Sequence, residues 1–204
     1  PRLGLGYSLA AQLGLLKKLG LVKTTDNQLK NYVANLNRLQ AKFGITSKTS
    51  NNPAKKLALQ LANKIPILVA SEFLAGNAHV LANQINESAK NFSNYFLISE
   101  LNHHLLEGLT FPKTNPQNLF FVFFESKLYH PKNQLRYKIT EKIVAKNRIK
   151  FFTYKLAAAD KVGQAMEMLL FGSYASFYLA VLNKVDPGKI PWVDYLKSEL
   201  KKSR

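Results

Sequence analysis

With 204 residues, 47% hydrophobic and 20% charged, the chain has an ordinary globular composition, which excludes a disordered protein. It contains no cysteine, so disulfides and thiol-based metal or redox chemistry are excluded as well. The 29 Lys and Arg against 12 Asp and Glu give a formal charge of +17, a field that gathers anions. No basic run is interleaved with base-stacking aromatics, so no specific nucleic-acid partner is expected.

Leu3 to Leu19 is apolar all round, with Gly4, Gly6 and Gly14 permitting close approach, and predicts a buried helix. Asp26 is the expected cap of a second helix from Asn27 to Phe43, which Gly44 ends. After a polar loop, Asn52 caps a third helix with Pro53 at its first position, where the missing N–H costs nothing. The period then changes. Pro66–Ala70, Tyr95–Ile98, Leu119–Phe124 and Ile149–Tyr154 are short apolar runs that predict strands. Between them, helices are expected at Ala75–Ser88, Glu100–Gly108 and Pro131–Asn147. Asp160 caps a long apolar helix to Asn183, and a last helix runs from Pro191 to Lys202. Continuous apolar strands alternating with helices imply an α/β fold with a parallel sheet of four to five strands covered on both faces. The division expected is a helical leader, residues 1–64, and an α/β domain, residues 65–204.

The longest uncharged apolar stretch, Met168–Leu182, is 15 residues, short of the roughly 20 that a bilayer span needs. The N-terminus lacks the pattern of a signal peptide. A cytoplasmic protein with no membrane partner is expected.

Chemistry concentrates between positions 84 and 103. Gln84-Ile85-Asn86-Glu87 ends the helix after the first strand, and Glu100-Leu101-Asn102-His103 opens the next helix. This places a carboxylate and an imidazole on separate elements. No phosphate-cradling P-loop, dinucleotide fingerprint or HExxH metal motif occurs, so neither cofactor nor metal is expected. His79 and His130 stand in no motif and are read as structural or exposed.

The pairing of Q-I-N-E-x-x-K with E-L-N-H resembles the bifunctional phosphoglucose/phosphomannose isomerases, which carry two sugar-isomerase (SIS) domains in tandem. The resemblance extends over nearly the whole chain. It implies a three-layer, Rossmann-like SIS domain, with residues 1–64 as the tail of a preceding SIS domain plus linker helices. It further implies a cofactor-free interconversion of glucose 6-phosphate or mannose 6-phosphate with fructose 6-phosphate through an enediol(ate). Glu87 would be the base that shuttles a proton between C1 and C2. His103 would open the sugar ring, assisted by Lys197, which matches a C-terminal lysine of the family. Arg2, in Pro1-Arg2-Leu3-Gly4-Leu5-Gly6-Tyr7, would stabilise the developing negative charge. Gln84, Asn86 and Asn102 would line the substrate, and the site would be shared within a homodimer.

The chain departs from the family pattern in three places. His104 stands where Asn is common, and Ser173 in Gly172-Ser173-Tyr174-Ala175-Ser176 replaces an acid. The S-x-S-G-x-T loop that holds phosphate at a helix N-terminus does not occur; Ala70–Gly76 offers one hydroxyl and an acid. A non-catalytic phosphosugar-binding module is therefore the alternative.

Overall fold

The computed structural model describes residues 4–202, and Arg2 lies outside the described residues. The elements in chain order are α1 (Leu5–Lys18), α2 (Asp26–Phe43), α3 (Pro53–Leu61), β1 (Ile65–Ser71), α4 (Ala75–Ala89), β2 (Asn94–Ile98), α5 (Glu100–Gly108), α6 (Asn115–Asn118), β3 (Leu119–Glu125), α7 (Pro131–Lys146), β4 (Lys150–Lys155), α8 (Lys161–Leu182) and α9 (Pro191–Lys202). Short 3-10 turns precede α3 and α4.

The sheet has four parallel strands in the order β2-β1-β3-β4. Its two central strands are apolar on both faces because both faces are covered. Alternation sends Phe124 against Phe171 of α8 and Phe123 against Tyr137 of α7. Helices α3, α4 and α8 pack together on one face, with α2 outside them against α8. Helices α5 and α7 cover the other face.

Local chemistry sets several boundaries. The Asn52 carboxamide oxygen accepts from the N–H groups of Ala54 and Lys55 at the start of α3, and its nitrogen donates to the carbonyls of Phe43 and Gly44. One side chain thus ties the end of α2 to the start of α3. The Asp160 carboxylate caps α8 through the Gly163 N–H at 2.8 Å. Leu39, Phe43, Leu57 and Leu61 from α2 and α3 belong to the same buried core as the sheet.

Two expectations are corrected. The cap of α2 is Thr25 rather than Asp26; its hydroxyl and the Gln28 amide satisfy each other's backbone in a capping box. Asp26 instead occupies the first turn and pairs with Lys17. Helix α1 is not buried: none of its residues is, and Tyr7, Leu15 and Leu16 are exposed. The apolar sequence specifies a helix but carries no information about what covers it.

Helix α8 is long and apolar enough to cross a membrane by length and composition. Here it is the central helix of its layer, in contact with α2, α3 and α4.

Candidate active site

Helix α4 runs from the carboxyl end of β1 back toward the amino end of β2, so the position of a residue along it fixes its height against the sheet. Glu87 lies twelve residues beyond Ala75, about 18 Å down the helix at 1.5 Å per residue. Its side chain is exposed, at the end of the layer nearest the amino ends of the strands. Its backbone carbonyl accepts from the Lys90 ammonium.

Gln84 is one turn earlier on the same helical face. It is 6% exposed and its amide donates to the Ser173 hydroxyl at 2.9 Å. Ser173 in turn donates to the Leu169 carbonyl, a bond made along α8. Parallel α4 and α8 are further joined by Asn77 to the Ala165 carbonyl and by Asn183 to the Ala89 carbonyl. Gln84 and Glu87 therefore lie along the α4–α8 seam. Ser173 also borders two cavities: an apolar one of about 540 Å³ between α1, α2 and α8, and an open one of about 650 Å³ toward the end of α2.

Asn86 is committed to the backbone. Its amide nitrogen donates to the carbonyls of Ala82 and Ser93, and its oxygen accepts from the Ser93 N–H at 3.1 Å. It clamps the end of α4 to the turn that leads into β2.

His103 is in the first turn of α5, on the opposite side of the sheet and near the carboxyl end of β2. It is exposed, as is His104, whose ring tilts against Phe96 at 5.9 Å. Asn102 beside it donates to the Thr140 hydroxyl of α7 at 2.7 Å, joining the two helices of this layer. The side-chain oxygens of Asn102 and Gln84 are buried and accept no hydrogen bond among the described residues. His79 stacks on Tyr95, and His130 caps α7 through Nδ1, so each has a structural contact.

Lys197 is exposed on α9, a helix that packs extensively on no other element among the described residues. Within one chain, then, Gln84 and Glu87 share one face, Asn102 and His103 share the other, and Lys197 is on neither. The sheet and its helices stand between the carboxylate and the imidazole.

One buried acid escaped the motif reading. Glu167 of α8 is 2% exposed and accepts from the Tyr154 hydroxyl and the N–H groups of Ala157 and Ala158. Those bonds fasten the segment after β4 to α8. The signal was present in sequence: Glu167 is the one acid in the apolar run of α8, and a buried carboxylate needs partners.

Residues 50–200 match the family described as the bacterial phospho-glucose isomerase C-terminal SIS domain. A bifunctional phosphoglucose/phosphomannose isomerase from Caldicellulosiruptor bescii is 30% identical over 204 residues, covering 98% of this chain and 59% of that protein. A protein of the same description from Aquifex aeolicus is 25% identical over 203 residues, covering 99% of this chain and 59% of that protein. The chain thus spans about three fifths of the length of these relatives. Among solved structures, a glucose-6-phosphate isomerase-like protein from Thermus thermophilus superposes with a TM-score of 0.70 at 21% identity, over 86% of this chain and 58% of that one. Glucosamine-6-phosphate deaminase from Thermotoga maritima gives 0.60 at 10% identity, over 90% of this chain and 52% of that one. At such identities the structures speak to the fold alone.

Proposed function

This chain belongs to the bacterial phospho-glucose isomerase C-terminal SIS domain family, and we propose that it supplies the proton-transfer half of a cytoplasmic, cofactor-free phosphohexose isomerase. The substrates are glucose 6-phosphate or mannose 6-phosphate, interconverted with fructose 6-phosphate. The observation that carries this reading is the survival of both reactive groups, Glu87 and His103, at motif positions within a matching region of residues 50–200. Both side chains are exposed, as contact with a ligand requires.

In the proposed reaction, His103 takes the proton of the C1 hydroxyl and gives a proton to the ring oxygen, opening the sugar to its aldehyde, with Lys197 assisting. The Glu87 carboxylate then takes the proton from C2, giving a cis-enediol(ate); the O2 proton passes to O1, and Glu87 returns its proton to C1, leaving the ketone at C2. Arg2 stabilises the negative charge of the intermediate. Gln84, Asn86 and Asn102 line the substrate in this reading; in the free chain Gln84 donates to Ser173, Asn102 to Thr140 and Asn86 to the Ser93 carbonyl.

Because α4 and α5 cover opposite sheet faces, the reading requires Glu87 of one protomer and His103 of another to meet in a homodimer with a shared site. The phosphate is held by a second SIS domain carrying the S-x-S-G-x-T cradle absent here, so the activity is that of a polypeptide of the relatives' length. In such a polypeptide, Glu87→Gln is expected to reduce exchange of the C2 proton with solvent deuterium by at least about a thousandfold. Exchange at the parental rate would overturn the base assignment. Binding of hexose phosphate without turnover by the unaltered protein would instead favour the binding-module alternative.

A further inference from the structure

Helix α5 carries two adjacent imidazoles, His103 and His104, and the proposed ring opening uses only the first. Successive helical residues lie about 100° apart around the axis and 1.5 Å along it, so turning α5 by one position exchanges one ring for the other. Whatever fixes that rotation decides which imidazole a substrate meets.

Apolar contact alone does not fix it. Leu101 is the one fully buried residue of α5, with Leu105 and Leu106 partly buried beside it. Such contacts are non-directional. Ser99, which precedes the helix, gives no side-chain cap. The Ser71 hydroxyl donates to the Ile98 carbonyl at 2.7 Å, which holds the end of β2 but not the turn beyond it. Among the described residues, the one side-chain hydrogen bond between α5 and α7 runs from the Asn102 amide to the Thr140 hydroxyl, at 2.7 Å.

That bond has a fixed polarity. Thr140 is fully buried, and its own proton goes to the Arg136 carbonyl one turn back, at 2.7 Å. Toward α5 it therefore presents a lone pair and no donor. Asn102 must answer with its NH2 group, which leaves its oxygen buried and without a partner among the described residues. Turning the amide over would set oxygen against oxygen, so the orientation holds despite the orphan. In this setting the His104 ring lies against Phe96 of β2, centroids 5.9 Å apart, and exposed His103 makes no ring contact among the described residues.

We propose that Thr140 is a positioning residue: acting through Asn102, it sets the rotation of α5 so that His103 rather than His104 is offered to the substrate. The proposal rests on the isomerase reading and adds to it a residue that lies outside both sequence motifs.

The test uses a polypeptide of the relatives' length carrying Thr140→Val, which keeps the side chain's shape and removes the acceptor. Its kcat should fall at least about tenfold while KM stays within about twofold. Thr140→Ser, which restores the hydroxyl, should return kcat to within about threefold of the parent. In an Asn102→Ala background, Thr140→Val should change kcat by less than about twofold, since the bond is already gone. The NOE between the His104 and Phe96 rings should weaken in Thr140→Val and persist in Thr140→Ser; where valine is not accommodated, Thr140→Ala takes its place. An unchanged kcat or an unchanged NOE in the variant lacking the hydroxyl overturns the proposal. So does failure of serine to rescue, or a further loss on top of Asn102→Ala, since either would give Thr140 a purely structural role. An unaltered polypeptide without turnover overturns the isomerase reading, and this role with it, before any substitution at Thr140 is made, so the two failures are told apart.

Discussion

Glu167 and Asn52 show how single buried polar side chains hold this fold. Each satisfies several backbone groups at once, so removing either leaves orphans in a dry environment. Asn52→Ala should destabilise the protein by about 2–3 kcal/mol, combining a lost helix cap with unpaired carbonyls at the end of α2. Glu167→Gln should cost about 2 kcal/mol, because an amide nitrogen would confront donors that now point at a carboxylate oxygen. Urea unfolding measures both, and a loss under about 0.5 kcal/mol for either would contradict these roles. Buried tyrosines add a pH dependence. Burial pushes Tyr129 up to about 12 and also raises Tyr137 and Tyr154, the latter helped by the Glu167 carboxylate. The unfolded chain releases these phenolic protons near pH 10 while the folded chain keeps them, so unfolding releases protons above about pH 10 and stability falls as pH rises. Tyr129 alone accounts for about 2–3 kcal/mol by pH 12. Tyrosinate absorbance of these groups should therefore appear only together with loss of the folded circular dichroism signal. Ionisation near pH 10 in the folded state would contradict their burial.

Helix ends were legible because they depend on short-range chemistry: Asn52-Pro53, Gly44 and Asp160 each act on backbone groups within a few residues. Thr25 and Asp26 are both capable caps, and the choice fell to Thr25 because Gln28 stands at the third helical position to complete the capping box. The strands were legible as continuous apolar runs, since a strand covered on both faces has no polar side. The burial of α1 was not legible, because apolar composition does not name a covering partner. Asn86 belongs to the motif, yet a motif letter does not distinguish a ligand contact from a helix clamp. Contacts between elements carry their own consequences. At the α4–α8 crossing, a Cβ on Gly172 would meet Leu81 Cδ1 at 2.8 Å. Gly172→Ala should thus cost about 1–3 kcal/mol through overpacking, read as a lowered Tm; an unchanged Tm would show that Leu81 moves aside freely. Helix α9 makes no extensive packing among the described residues, so removing residues 191–202 should shift Tm by less than about 3 °C. A larger fall would mean that α9 is held to the core.

The three layers place the carboxylate and the imidazole apart through the topology itself. The connection after β1 returns over one face of the sheet, and that after β2 over the other. A sequence shows that both groups are present; only the crossover sides show that one chain does not bring them together. A catalytic unit made of two copies follows if the isomerase reading is right, and it can be tested without a complex structure. The measurement is isomerase activity of co-expressed Glu87→Gln and His103→Ala subunits, in polypeptides of the relatives' full length. Each variant alone should be inactive, and the mixture should recover about a quarter of wild-type activity, because half the dimers are mixed and each mixed dimer has one intact site. A mixture as inactive as its parents would contradict a site shared between protomers.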